Sequence, residues 1–237
     1  MSKKFSQANN LLSPLFRPQF VVFSLSVIFS QIASNMLTIV LIVITYNLTH
    51  SNFAVSILVM TFLIPQVLFS FLGGIIADAK NKRKILIFGN VSRALILVLF
   101  FFVKDTLVFI YSFQLAIALV TQFYIPAEAP IIPHLVKRDQ LLSANAIFGV
   151  CLFGSILIGY VIAGPAMRIF PGGGIFLFIA ALFAIAYICV QLMPDVAPSV
   201  RKLRTEKTIA ANVFHLYRLV GKEFREVIKI LRSKNNV

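Results

Sequence analysis

Residues 18–77 read PQFVVFSLSVIFSQIASNMLTIVLIVITYNLTHSNFAVSILVMTFLIPQVLFSFLGGIIA, sixty positions without an Asp, Glu, Lys or Arg, bounded by Arg17 and Asp78. As one helix they would extend about 90 Å at ~1.5 Å per residue, roughly three times the ~30 Å hydrocarbon core of a bilayer. The run must therefore fold back. Its only polar cluster, Asn47 to Asn52, marks the turn, so the spacing predicts one helix near 20–46 and a second near 53–77.

Outward from this stretch the same pattern repeats. Charge-poor runs follow at 85–103 (interrupted by Arg93), 106–127, 140–167 and 169–194, each long enough to cross at the ~20 residues required. Isolated Pro65 and the glycines at 149, 154, 159 and 164 count less against helix in lipid than in water. The expectation is an all-α integral membrane protein with six transmembrane helices. Its organisation is a short N-terminal segment (1–18), a six-span bundle (19–194) and a polar tail (195–237).

Composition agrees. Of 237 residues 59% are apolar and 13% charged, against about 25% charged in ordinary soluble domains. A water-soluble enzyme is excluded on that ground. Cys151 and Cys189 both lie in apolar stretches, so no disulfide framework or zinc site is indicated. No intramembrane His cluster, carboxylate pair or nucleophile with its base is found, so neither catalysis, a metal nor a cofactor is expected.

The net charge of +14 is an orientation signal. With the N-terminus inside, nineteen of the 22 Lys and Arg fall in cytosolic segments, and only Lys104 and Arg168 in outer loops. The positive-inside rule then places both termini in the cytosol, in a cell membrane, with no nucleic-acid partner. In the tail Ile209, Val213, Leu216, Val220, Phe224, Val227 and Leu231 recur at helical spacing, with Arg218, Lys222, Arg225, Lys229 and Arg232 on other faces. This predicts an amphipathic helix lying at the cytosolic surface of the bilayer; a calmodulin-like target or a regulatory domain is the alternative.

The loop after the second span reads Gly73-Gly74-Ile75-Ile76-Ala77-Asp78-Ala79-Lys80-Asn81-Lys82-Arg83-Lys84-Ile85-Leu86. It resembles the signature loop of the major facilitator superfamily, with Gly74, Asp78, Lys82, Arg83 and Leu86 on the family's positions. Ala79 stands where Arg is usual and Asn81 where Gly is usual, the latter a residue that tolerates left-handed backbone. Further segments are similar to the macrolide and enterobactin exporter-like branch: Phe16-Arg17 with Ser30-Gln31, Tyr46 to Ser51, Asn90 to Ala94, and Phe123 to Val136 followed by Leu142 to Asn145. The resemblance implies that the chain is the N-terminal six-helix half, plus central linker, of a twelve-span carrier, and that a C-terminal half is its partner.

The resemblance also implies a latching role for the loop in the outward-facing state, with Gly74, Asp78, Lys82 and Arg83 at the cytosolic gate. Asp78 sits at a helix C-terminus, where the macrodipole disfavours an anion. Lys82, Arg83 or a helix N-terminus of the other half is expected to stabilise it. Glu128, at the cytosolic end of span four, is expected either to share that basic cluster or to be a solvated surface carboxylate. Arg93 is the ionisable group well inside a span. Such a residue faces the bundle interior or a wet cavity, or snorkels; a structural ion pair, with Glu128 the nearest candidate partner, and substrate contact are the two roles open to it.

Ser24, Gln31, Asn35, Thr38 and Thr45 fall on one face of span one. Gln114, Thr121 and Gln122 add polar groups in span four. The superfamily places these spans beside the central cavity, so Gln31, Asn35, Thr38, Gln114, Thr121 and Gln122 are the substrate-contact candidates, simple helix packing being the other reading. No membrane-buried Asp or Glu is evident in spans one, four or five, so proton coupling does not follow. The function expected is secondary transport by alternating access, with export of a small hydrophobic or amphipathic molecule. The rivals are a lysophospholipid or other lipid carrier on the same fold, and a complete six-span channel or scaffold subunit.

Overall fold

A computed structural model describes residues 13–103 and 106–195. All regular structure among them is helical. Six long helices dominate: α1 (Pro18–Thr49), α2 (Asn52–Ala79), α3 (Lys82–Val103), α4 (Leu107–Glu128), α5 (Leu141–Ile169) and α6 (Gly174–Gln191). Each carries a stretch apolar and long enough to cross a bilayer. The amphipathic helix expected within 195–237 lies outside the described residues.

Local chemistry sets the boundaries. Pro18 occupies the first turn of α1, where an N–H would have no intrahelical acceptor. At the other end His50 takes the left-handed conformation (φ 48°) and donates its N–H to the Tyr46 carbonyl, closing the helix. Ser51 then turns extended and its Oγ accepts from the Ala54 N–H at 3.4 Å, capping α2. The polar cluster is thus the turn, tightened to the point where both helices run into it. Asn81 is not left-handed, since His50 alone among the described non-glycine residues has positive φ. It works as an N-cap instead, its Oδ1 accepting from the Lys84 N–H.

The boundary of the sixth span differs from the sequence reading. The helix begins at Gly174 rather than 169, because Phe170 to Gly173 form a turn with Gly172 at φ 62°. Pro171-Gly172-Gly173 was the signal for this break, which the charge-free length of the run outweighed, and Arg168 falls in the last turn of α5, the helix end that favours a cation. Between α4 and α5 the chain continues through short helical turns, Ala129–Ile131, Ile132–Leu135 and Arg138–Gln140.

The principal pairings are α2 with α4, α1 with α5, α3 with α6, α1 with α6, and α3 with α4. Exchanging α1 for α4, α2 for α5 and α3 for α6 maps this set onto itself. Two three-helix units therefore pack as a repeat. Lipid tails are as apolar as leucine, so helix association rests on close contact rather than on hydrophobic burial. The glycines show where: a methyl on Gly73 of α2 would overlap the Gln122 carbonyl of α4, and one on Gly159 of α5 would lie 2.9 Å from the Ile32 carbonyl of α1.

Two apolar clusters fill the interior. One, near the α1–α2 turn, is built around Met36, Val40, Phe100, Ile110, Phe176 and Phe183, with the Phe100 ring edge-on to Phe176 at 4.6 Å. The other, toward the α2–α3 loop, holds Phe20, Phe23, Leu86, Ile131, Leu135 and Phe148. A polar layer lies between them.

Candidate functional site

On α1, residues 31, 34, 35 and 38 are spaced to share a face. On α4, residues 114, 117, 121, 124 and 125 do the same. These two stripes meet around a cavity of about 110 Å³ whose polar lining includes Gln31, Ser34, Asn35, Thr38, Gln114 and Thr121. Arg93 of α3, Phe62 of α2 and Tyr124 of α4 complete the wall. Five of the six sequence-selected cavity residues thus converge. Gln122 does not: it is buried, donates to the Ala118 carbonyl at 3.2 Å, and its backbone carbonyl receives Gly73 across the α2–α4 contact. One residue of offset along α4 turned it away.

Several polar side chains satisfy their hydrogens on their own helix. Asn35 Nδ2 donates to the Gln31 carbonyl at 2.8 Å, Thr38 Oγ1 to Ser34 at 3.1 Å, and Thr121 Oγ1 to Ile117 at 2.8 Å. Buried polar groups in lipid must be paired this way. On the cavity wall Gln114 Oε1 and the Tyr124 hydroxyl are buried without a hydrogen-bond partner in good geometry.

Arg93 is 1% exposed, so it does not snorkel. Its Nε donates to the Gly89 carbonyl (3.1 Å), Nη1 to Ser34 Oγ (3.3 Å), and Nη2 to Ser30 Oγ (3.1 Å) and Asn90 Oδ1 (2.9 Å). The guanidinium is sandwiched between Tyr124 and Phe183, 3.9 and 4.5 Å from their ring centroids. Stacking on both faces with desolvation strengthens a cation–π contact to about 2 kcal/mol. The sequence reading of a direct ion pair with Glu128 does not hold, because the pair does not come within 4.0 Å; the ion pair among the described residues is Arg83 with Asp195 at 3.5 Å. Ser30, Ser34, Asn90 and Tyr124 were missed as a group. The i, i+4 serines and the Asn90–Arg93 i, i+3 pair were the available signal.

Glu128 is neither surface-solvated nor part of the basic loop. It is 2% exposed, accepts a 3.4 Å hydrogen bond from Gln31 Nε2, and leaves Oε1 without a partner in good geometry. The expectation that span four holds no buried carboxylate is corrected: α4 winds on past Pro126, carrying Glu128 inward between α1 and α3. Arg93 and Tyr124 are its electrostatic neighbours.

At the α2–α3 loop, Asp78 is exposed and forms no ion pair or hydrogen bond among the described residues. Lys82 is buried. Arg83 turns away from Asp78: its Nε donates to the Val190 carbonyl (3.2 Å), its Nη2 to Gln191 (2.7 Å), and its Nη1 pairs with Asp195. The reason is electrostatic. A cation in the first turn of α3 is misplaced for that helix's dipole but well placed at the C-terminus of α6. Asn81 Nδ2 adds a 3.1 Å bond to Asp195. Gly74 faces open space, whereas its neighbour Gly73 makes the tight helix contact.

Six apolar membrane-length helices, arranged as two three-helix repeats around an interior polar layer, define a multi-pass membrane protein. The family model of the Major Facilitator Superfamily matches residues 23–237, and the chain belongs to that transporter superfamily. Among curated proteins, none matches this chain.

Proposed function

We propose that this protein is a secondary carrier that exports a small hydrophobic or amphipathic molecule by alternating access, on the macrolide and enterobactin exporter-like branch of the superfamily. The observation that carries this reading is the interior cavity where polar stripes of α1 and α4 meet between two apolar clusters. At about 110 Å³ it is smaller than the ~300–1,000 Å³ of pockets for drug-sized ligands. A second six-helix bundle facing α1 and α4 would complete it, rocking about the midplane. Both termini and the α2–α3 loop are on the cytosolic side in this reading, supported by the distribution of Lys and Arg.

The unpartnered, exposed Asp78 is then the gate anion. Its carboxylate, at the wrong end of α2's dipole, meets a positive helix N-terminus or a cation of the second bundle. In the complete carrier, Asp78→Asn is expected to cut export by about tenfold, the value of one charge-assisted hydrogen bond, with membrane insertion intact. Efflux of an amphipathic dye from cells or proteoliposomes measures this. Unchanged efflux makes the loop an ordinary turn, and movement of lysophospholipids in place of dyes makes the protein a lipid carrier.

A further inference from the structure

The cavity has one fixed charge on its wall. Of its lining residues only Arg93 is ionised, and the rest are amides, hydroxyls, Tyr124 and apolar side chains such as Phe62, Ile117 and Ile125. All of Arg93's hydrogen-bond acceptors are neutral: a backbone carbonyl, two serines and Asn90. Among the described residues no carboxylate lies within ion-pair distance of it. Glu128 of α4, the carboxylate that acts on it from farther off, is held by Gln31 of α1 and does not line the cavity. A buried charge lacking a contact counter-ion is costly unless the site is built to receive one. Arg93 is also immobilised, since two aromatic faces clamp its plane and Ser30 and Ser34 fix its fork. Four of its five N–H groups are donated to these internal acceptors, so the guanidinium offers the cavity a fixed positive charge and a single preorganised Nη1 donor for an anionic oxygen.

We infer that the cargo is an amphipathic anion whose charged group is recognised by Arg93, while Phe62, Ile117 and Ile125 receive its apolar body. This deepens the carrier reading and rests on it. A cationic amphiphile meets a like charge in a low-dielectric cavity and is rejected. Glu128 is an internal competitor for Arg93's field, so a cargo anion gains most when that carboxylate is absent.

The test uses the full chain in phosphatidylcholine proteoliposomes, with anilinonaphthalene sulfonate and its uncharged parent, N-phenylnaphthylamine, both read by fluorescence above protein-free vesicles. The native chain is expected to bind the sulfonate about tenfold more tightly than the parent, the yield of a charge-assisted hydrogen bond. Arg93→Gln should abolish that preference, lowering sulfonate binding by about tenfold more than parent binding. Glu128→Gln, a nearly isosteric change that does not depend on the Arg93 variant folding, should tighten the sulfonate severalfold. Equal binding of the two probes, equal losses on Arg93→Gln, or no gain on Glu128→Gln overturns the inference. Uptake of both probes without charge preference leaves the carrier standing and removes its anion selectivity; no uptake of either probe removes both.

Discussion

Adjacent glycines in the signature loop separate what a motif records from what the packing needs. Gly74 falls on the superfamily pattern, yet a methyl there would meet open space. Gly73 presses against the Gln122 backbone carbonyl, an atom that cannot turn aside. Gly73→Ala is therefore expected to destabilise the bundle by about 1–3 kcal/mol through overpacking, and Gly74→Ala to stay within about 0.5 kcal/mol. Thermal unfolding of the two variants in detergent checks this, and equal melting points would contradict the α2–α4 contact. Arg93 makes a related point. Its presence within a span was legible, but which of snorkelling, ion pairing or cavity lining it adopts depended on Ser30, Ser34, Tyr124 and Phe183, all four on other helices, brought together only by folding.

At the scale of elements, charge-free length gave the helices and the polar punctuation gave most of their ends. It failed where charge-free length was allowed to outweigh punctuation: the α5–α6 break at Phe170 to Gly173 carries Pro171, Gly172 and Gly173 but no charge. Outward faces were no help either, because Phe53, Val67 and Phe102 are exposed on the bundle and lipid does not require polar residues there. The end of α6 shows a contact that sequence spacing does not reveal, more than a hundred residues from Arg83. Arg83→Ala should weaken protection of the backbone amides around 190–195 and lower stability by about 1.5–3 kcal/mol, the range for hydrogen bonds from a charged group. The exposed Lys84 makes no comparable side-chain contact, and Lys84→Ala is expected to change stability by less than about 0.5 kcal/mol. Hydrogen exchange with mass spectrometry distinguishes them. Equal protection in both variants would remove Arg83's capping role.

For the whole molecule, helix alternation puts the α1–α2 and α5–α6 turns at one end and the α2–α3 and α4–α5 connections at the other. The orientation proposed from Lys and Arg predicts a sidedness for these ends. In a background lacking Cys151 and Cys189, a cysteine at Ser51 should react with an impermeant maleimide from outside intact cells. One at Lys80 should react only after permeabilisation. The reverse pattern would invert the protein and place the Asp78 gate outside. The repeat relation between α1–α3 and α4–α6 gives the cavity its place, since the two first helices of the repeats, α1 and α4, are the ones that supply its polar stripes.

Hydrophobic length and the placement of cations are local, additive properties, so the chain alone set the number of spans, their approximate limits and the loop that marks the superfamily. Which polar groups face one another is a property of helix rotation and contact. A shift of one position turns a side chain by roughly 100° on an α-helix, enough to put Thr121 on the cavity and Gln122 in the α2–α4 interface. Only the packed bundle could therefore bury Glu128, clamp Arg93 without a contact carboxylate and send Arg83 to the end of α6.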